Sequence, residues 1–113
     1  MPDLMRLETP TFLVTATTTA ITFNAQADGA NYPVVIIKND GVSTIAVGAY
    51  ETDTDVVFPV AGTDSTVKSQ ACKTILPGHA ESYSKVPKNG YISVIVESGG
   101  TDCLVHISLG ADE

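Results

Sequence analysis

The chain of 113 residues predicts an all-β fold, an antiparallel β-sandwich of jelly-roll-like form with seven or eight short strands. Two observations carry that expectation. The first is the C-terminal third, where β-branched segments too short for helices alternate with complete turn signals. Ala71–Leu76 runs into Pro77-Gly78, Ala80–Lys85 into Pro87-Lys88-Asn89-Gly90, and Tyr91–Val96 into Ser98-Gly99-Gly100-Thr101 before Cys103–Leu109. Proline holds φ near −65°, while Gly and Asn tolerate positive φ, so these clusters turn the chain for local reasons. Hairpins are the expected result. The second observation is spacing: such segments recur at intervals of about 8–12 residues, as in a sandwich or barrel, and no stretch sustains a helical period.

Residues 1–10 have a different texture. Leu4, Met5 and Leu7 sit among charges and are closed off by Pro10. Ten residues are too few for a helix that is stable alone. They form either a frayed end or an extended arm that docks on a partner, and residues 11–113 form the single sandwich domain. Thr11–Phe23, rich in Thr, Val, Ile and Phe, reads as one long bent strand or two short ones. Asn24–Tyr32 is a loop. Val34–Ile37 is a continuous apolar run, as expected of a strand buried on both sides.

Asn39-Asp40-Gly41 is the strongest hairpin signal of the N-terminal half, with Thr44–Ala49 as the expected partner strand. Glu51–Asp55 is an acidic turn, Val56-Val57-Phe58 a short strand stopped by Pro59, and Ala61–Gln70 the longest loop.

Composition narrows the function. Thirteen acidic against six basic residues leave a net charge of −7. The basic residues, scattered from Arg6 to Lys88, form no stripe that would neutralise phosphates, which argues against nucleic acid. No apolar run approaches the roughly 18–20 residues of a membrane-spanning helix. Met1–Thr9 has no secretory pattern, so the chain is expected to be made and kept in a cytoplasm, with Cys72 and Cys103 as free, partly buried thiols. With no Trp and seven aromatic residues, the core must rest on Val, Ile, Leu and Ala.

No constellation reads as catalytic or metal-binding. Glu51, Asp53 and Asp55 space their oxygens like the start of a calcium loop, but the sixth position holds Val56 rather than Gly and the twelfth Gly62 rather than Glu. His79 and His106 have no recognised ligand or triad spacing with Glu81, Asp102 or the cysteines. Cys72 has no base near it in sequence. Tyr83 and Tyr91 flank the expected Pro87–Gly90 hairpin, as a cross-strand pair that stabilises a sheet or as a platform for stacking a sugar. The chain is expected to be no enzyme and to need no cofactor.

A resemblance extends this reading. The Leu76-Pro77-Gly78 turn, the strand Tyr91-Ile92-Ser93-Val94-Ile95-Val96, the turn Ser98-Gly99-Gly100 and the closing Val105-His106-Ile107-Ser108-Leu109-Gly110 carry it. Val35–Asn39, Gly41 and Thr44–Val47 fit the same scheme upstream. As a pattern of strands and turns over residues 34–110, the chain resembles the small β-sandwich head decoration (cement) proteins of tailed bacteriophages. The resemblance implies a non-enzymatic virion protein on the capsid exterior, partnered with the major capsid protein and with further copies of itself as a trimer or dimer. Leu4, Met5, Leu7 and Phe12 are then the candidate partner-binding residues. Related sandwiches occur in tail and fibre proteins, which leaves a host-attachment, carbohydrate-binding module as the alternative.

Overall fold

A computed structural model describes residues 9–59 and 72–110. Eight strands lie in them: β1 (Thr11–Ala16), β2 (Ile21–Asn24), β3 (Val34–Asn39), β4 (Ile45–Tyr50), β5 (Lys73–Ile75), β6 (Ala80–Ser84), β7 (Tyr91–Val96) and β8 (Cys103–Gly110). No helix occurs among the described residues. The strands form two four-stranded sheets, ordered β1-β8-β3-β6 and β2-β7-β4-β5. All neighbours are antiparallel. First pairs with last: β1 with β8, β2 with β7, β3 with β6, β4 with β5. The chain behaves as one long hairpin bent between β4 and β5, then rolled so that successive rungs fall in opposite sheets. This is a jelly roll.

The roll corrects the expected local hairpins. Asn39-Asp40-Gly41, Pro77-Gly78, Pro87–Gly90 and Ser98–Thr101 are all turns, but each carries the chain from one sheet to the other. The consecutive strands that do pair are β4 and β5, across the longest connection. Val34–Ile37 and Thr44–Ala49 therefore never meet as a hairpin. Asn39 explains why. Its side chain is fully buried, its Nδ2 donates to the carbonyls of Ser43 (2.7 Å) and Ile75 (3.0 Å), and its Oδ1 accepts the Gly41 N–H at 3.1 Å. The turn is thus folded inward and fastened to β5. Gly41 packs against Cys103 so closely that a Cβ there would collide with it. Gly78 and Gly99 take φ of 77° and 78° at the third position of turns closed by His79 N–H to Leu76 O (3.1 Å) and Gly100 N–H to Glu97 O (2.9 Å). That is the type II geometry that favours glycine.

Two further differences are local. Thr11–Phe23 is two strands, β1 and β2, parted where Thr17 Oγ1 accepts the Thr19 N–H (3.1 Å) and Thr17 O accepts the Val96 N–H (2.8 Å). Val56-Val57-Phe58 is not a strand. Its Val56 N–H bonds a side-chain hydroxyl, Ser93 Oγ, at 2.9 Å, instead of a backbone ladder.

The core lies between the sheets. Val35 and Ile37 of β3 and Val105, Ile107 and Leu109 of β8 face Ile45 and Val47 of β4 and Ile92, Val94 and Val96 of β7. Burying each such side chain stabilises the fold by about 1.5–3 kcal/mol. Strand alternation works as expected in β8, where His106 turns away from the core between Val105 and Ile107. Every buried side-chain polar atom among the described residues has a partner.

Candidate functional site

The two sheets differ in what covers their outer faces. On the β2-β7-β4-β5 sheet the outward-pointing residues include Thr22, Ser93, Ala46 and Gly48. Yet Ser93 and Ala46 are fully buried, and at Ser93 the cover is the chain's own Thr54–Val56, which lies across this sheet. Ser93 Oγ accepts from Val56 N and from Thr22 Oγ1, both at 2.9 Å, and Thr22 also reaches the Asp55 carboxylate. The Tyr50 ring lies over Gly48, where a Cβ would strike its hydroxyl. The sequence's acidic turn is thus a strap on a sheet, and Lys88 meets Glu51 at 3.3 Å at its start.

The opposite sheet is bare among the described residues. Its outer face holds two cross-strand rows, Leu13–His106–Lys38–Ala80 and Thr11–Ser108–Ile36–Ser82, with Thr15 and Leu104 paired beyond them. Leu13 is 64% exposed and Leu104 42%. No carboxylate stands on these rows in a chain of net charge −7. Asp40 touches the rim, 3.7 Å from His106 Nε2. The face is small, hydroxyl-rich and nearly uncharged, with leucines at one side.

The sequence-predicted binding residues are distributed as follows. Leu4, Met5, Leu7 and the loop Ala61–Gln70 lie outside the described residues. Phe12 is half-buried, pointing inward from β1 against Phe23, with ring centroids 5.1 Å apart. It closes the side of the sandwich where the chain enters β1. Tyr83 and Tyr91 do not flank a hairpin. Tyr83 sits on β6 against the core, whereas Tyr91 stands opposite Tyr50 in the other sheet. Cys103 is buried and Cys72 half-buried, neither in a disulfide. Burial pushes the Cys72 thiol up, the wrong direction for a nucleophile. No cluster of three His, Cys, Asp or Glu side chains suited to a metal occurs among the described residues.

A broad, open depression of about 690 Å³ lies against the strap, lined by Val57, Phe58, Ile95 and Gly99, and two smaller ones lie elsewhere. A cleft of about 190 Å³ opens between the sheets beside β6, floored by Ile37, Val47 and Ile92 and walled by Cys72, Tyr83 and Lys85. Lys85 carries no signal in the sequence, yet burial lowers its pKa to about 8. Its ammonium is already engaged, donating to Gln26 Oε1 (2.5 Å), Pro87 O (3.1 Å) and Val86 O (3.3 Å). It clamps the Asn24–Tyr32 loop and offers no free donor to a ligand. Another depression of about 190 Å³, at the start of β7, is lined by Asn24, Gln26, Asn31, Glu51, Lys88 and Tyr91.

No family model matches the chain, and no curated protein matches it. Among solved structures it is similar to the coat protein of Tobacco streak virus. One structure of that protein, in a C2 crystal form, is 14% identical with a TM-score of 0.38, over 95% of this chain and 90% of the other. A second, of the coat protein dimer, is 13% identical with a TM-score of 0.40, over 96% and 91%. No role follows from a likeness at that level. The jelly roll stands on this chain's own strand pairing.

Proposed function

We propose that this chain is a non-enzymatic virion structural protein that decorates and stabilises a bacteriophage capsid. The observation that carries the reading is the one-sidedness of the sandwich. One outer face is strapped by the chain itself, and the other presents Leu13, Leu104 and Ile36 among hydroxyls, with no carboxylate on its strand rows and only Asp40 at the rim. A sheet with one bare face suits a tile laid on a repeated lattice, because a modest contact is multiplied over many copies. The arm of residues 1–10 leads directly into β1 of that same sheet. Leu4, Met5 and Leu7 would extend the contact onto the major capsid protein or a neighbouring copy, with Phe12 anchoring the arm where it leaves the sandwich.

The test mixes the purified chain with mature, expanded phage capsids. Binding that raises the capsid melting temperature is expected, weakened by deletion of residues 1–8 and by Leu104→Glu, which places a carboxylate on the bare face. A folded protein that leaves capsids undecorated sinks the reading.

A second reading, attachment to a host glycan by a tail or fibre component, has its own support in the depression at Tyr91. Amides, a carboxylate and an aromatic ring converge there, the groups that hydrogen-bond and stack on a sugar. A glycan whose NMR saturation-transfer signal disappears in Tyr91→Ala would favour it.

A further inference from the structure

We infer that β1 is a self-pairing edge: two copies join β1 to β1 antiparallel about a two-fold axis at Leu13, fusing their β1-β8-β3-β6 sheets into one eight-stranded sheet. The inference goes beyond capsid decoration and does not depend on it, since a solution dimer neither requires nor establishes a capsid.

Three observations carry it. The first is the direction of the free backbone groups. Leu109 N–H bonds the Pro10 carbonyl at 3.0 Å, in step with the register Thr11↔Ser108. In an antiparallel ladder bonding alternates along the strand. The even-numbered residues of β1 therefore bond β8, and Thr11, Leu13 and Thr15 turn their N–H and C=O groups away from it. No described residue bonds them.

The second is the absence of protection. Native edges are blunted by charge, proline, bulges, shortness or cover, because a bare edge pairs with whatever strand it meets. The other three edges carry such devices. β5 is three residues long and contains Lys73; β6 contains Glu81; β2 is four residues long and its Thr22 is engaged by the Thr54–Asp55 strap. β1, Thr-Phe-Leu-Val-Thr-Ala, has none among the described residues, and the chain is uncharged from Thr9 to Ala27. In a protein of net charge −7 this is an edge where a second, equally acidic copy brings no charged strand residue against a like one.

The third is self-complementarity of register. Antiparallel partners share a face only when residues of like parity stand opposite. An axis at Leu13 sets Leu13 against Leu13 and Thr11 against Thr15 on the outer face, with Phe12 against Val14 on the inner. The three outer pairs are those with free groups, so each exchanges two main-chain bonds. Moving the axis one residue on, to Val14, would oppose Thr11 to Thr17, whose carbonyl already accepts from Val96. Leu13 is the better centre. A strand of a different protein adding to this edge, or the chain's own arm folding onto it, are the competing occupants.

The test measures mass in solution by light scattering for the full chain and its variants. The wild type is expected as a dimer. Leu13→Lys, which sets two like charges face to face at the axis on a side chain that is already exposed, is expected to give a monomer of unchanged circular dichroism, with a melting temperature that no longer rises with protein concentration. Ser82→Lys, at the opposite edge of the sheet, should leave the dimer intact. In a Cys72→Ser background, Leu13→Cys should oxidise to a covalent dimer, because bonded antiparallel pairs place Cα atoms about 5.5 Å apart, within disulfide range. Amide exchange at Thr11, Leu13 and Thr15 should accelerate on dilution. A wild-type monomer at NMR concentrations, a trimer, or a dimer that Leu13→Lys leaves unchanged overturns the inference.

Discussion

Val56 and Ser93, far apart in sequence, are joined by one hydrogen bond of 2.9 Å that holds a loop flat against the outside of a sheet. Both are buried, and Ser93 Oγ serves Thr22 as well. A serine in the middle of an apolar strand is therefore the fastener that makes the two faces of the sandwich unlike.

Replacing that serine tests the strap. Ser93→Ala leaves the Val56 N–H buried and unpaired, and an unsatisfied buried donor costs about 1–3 kcal/mol. Urea denaturation should show a loss of that size, with faster amide exchange at Val56. An unchanged midpoint would show that the strap does not depend on this bond.

Asn39 should be harder to replace than its place in a turn suggests. Asn39→Ala strips partners from Ser43 O, Ile75 O and the Gly41 N–H at once. A loss of at least about 1–3 kcal/mol is expected, as for a buried polar group left unpaired. Asp40→Ala, one residue on and exposed, should fall within about 0.5 kcal/mol of wild type. Equal effects at the two positions would contradict the inward-folded turn.

Lys85 predicts an alkaline signature. Its folded pKa is lowered to about 8 by burial from an ordinary 10.5. Between those values the unfolded chain holds a proton that the folded chain has released, so this group's contribution makes stability rise with pH over that window. Tyr50 and Tyr83, whose pKa values burial raises, act oppositely above about pH 10. The Lys85 share is isolated by comparing wild type with Lys85→Met. Their stability difference should change between pH 8 and 10.5, and the Lys85 Cε resonance should titrate near 8. A titration near 10.5 would rule out the desolvated amine.

The two thiols should behave differently. Half-buried Cys72 is expected to react with a thiol reagent in the folded protein, and Cys103, buried against Gly41, only on unfolding. Cys72→Ser should be nearly neutral. Cys103→Ser should cost more, on the order of 1–2 kcal/mol, as a buried small hydrophobe replaced by a hydroxyl. Equal reactivity in the native state would be incompatible with this packing.

Local structure is legible in the chain. Turn positions at Gly78, Gly99 and Asn39–Gly41, the extended state of the segments between them, and the inward set Val105, Ile107 and Leu109 all follow from single-residue φ preferences and two-residue alternation. Pairing was decided by the tertiary structure. A Pro-Gly turn reverses the chain whether the next strand joins the same sheet or crosses to the other, and the choice is made by burial between β3, β8, β4 and β7, which are distant in sequence. For the same reason Val56–Phe58 reads as a strand from its composition, yet it found a serine hydroxyl instead of a ladder. The roles of Leu13 and Lys85 carry no local signal, for a related cause. An edge is an edge, and an amine is desolvated, only through what packs beside it, and neither neighbour is written near them in the chain.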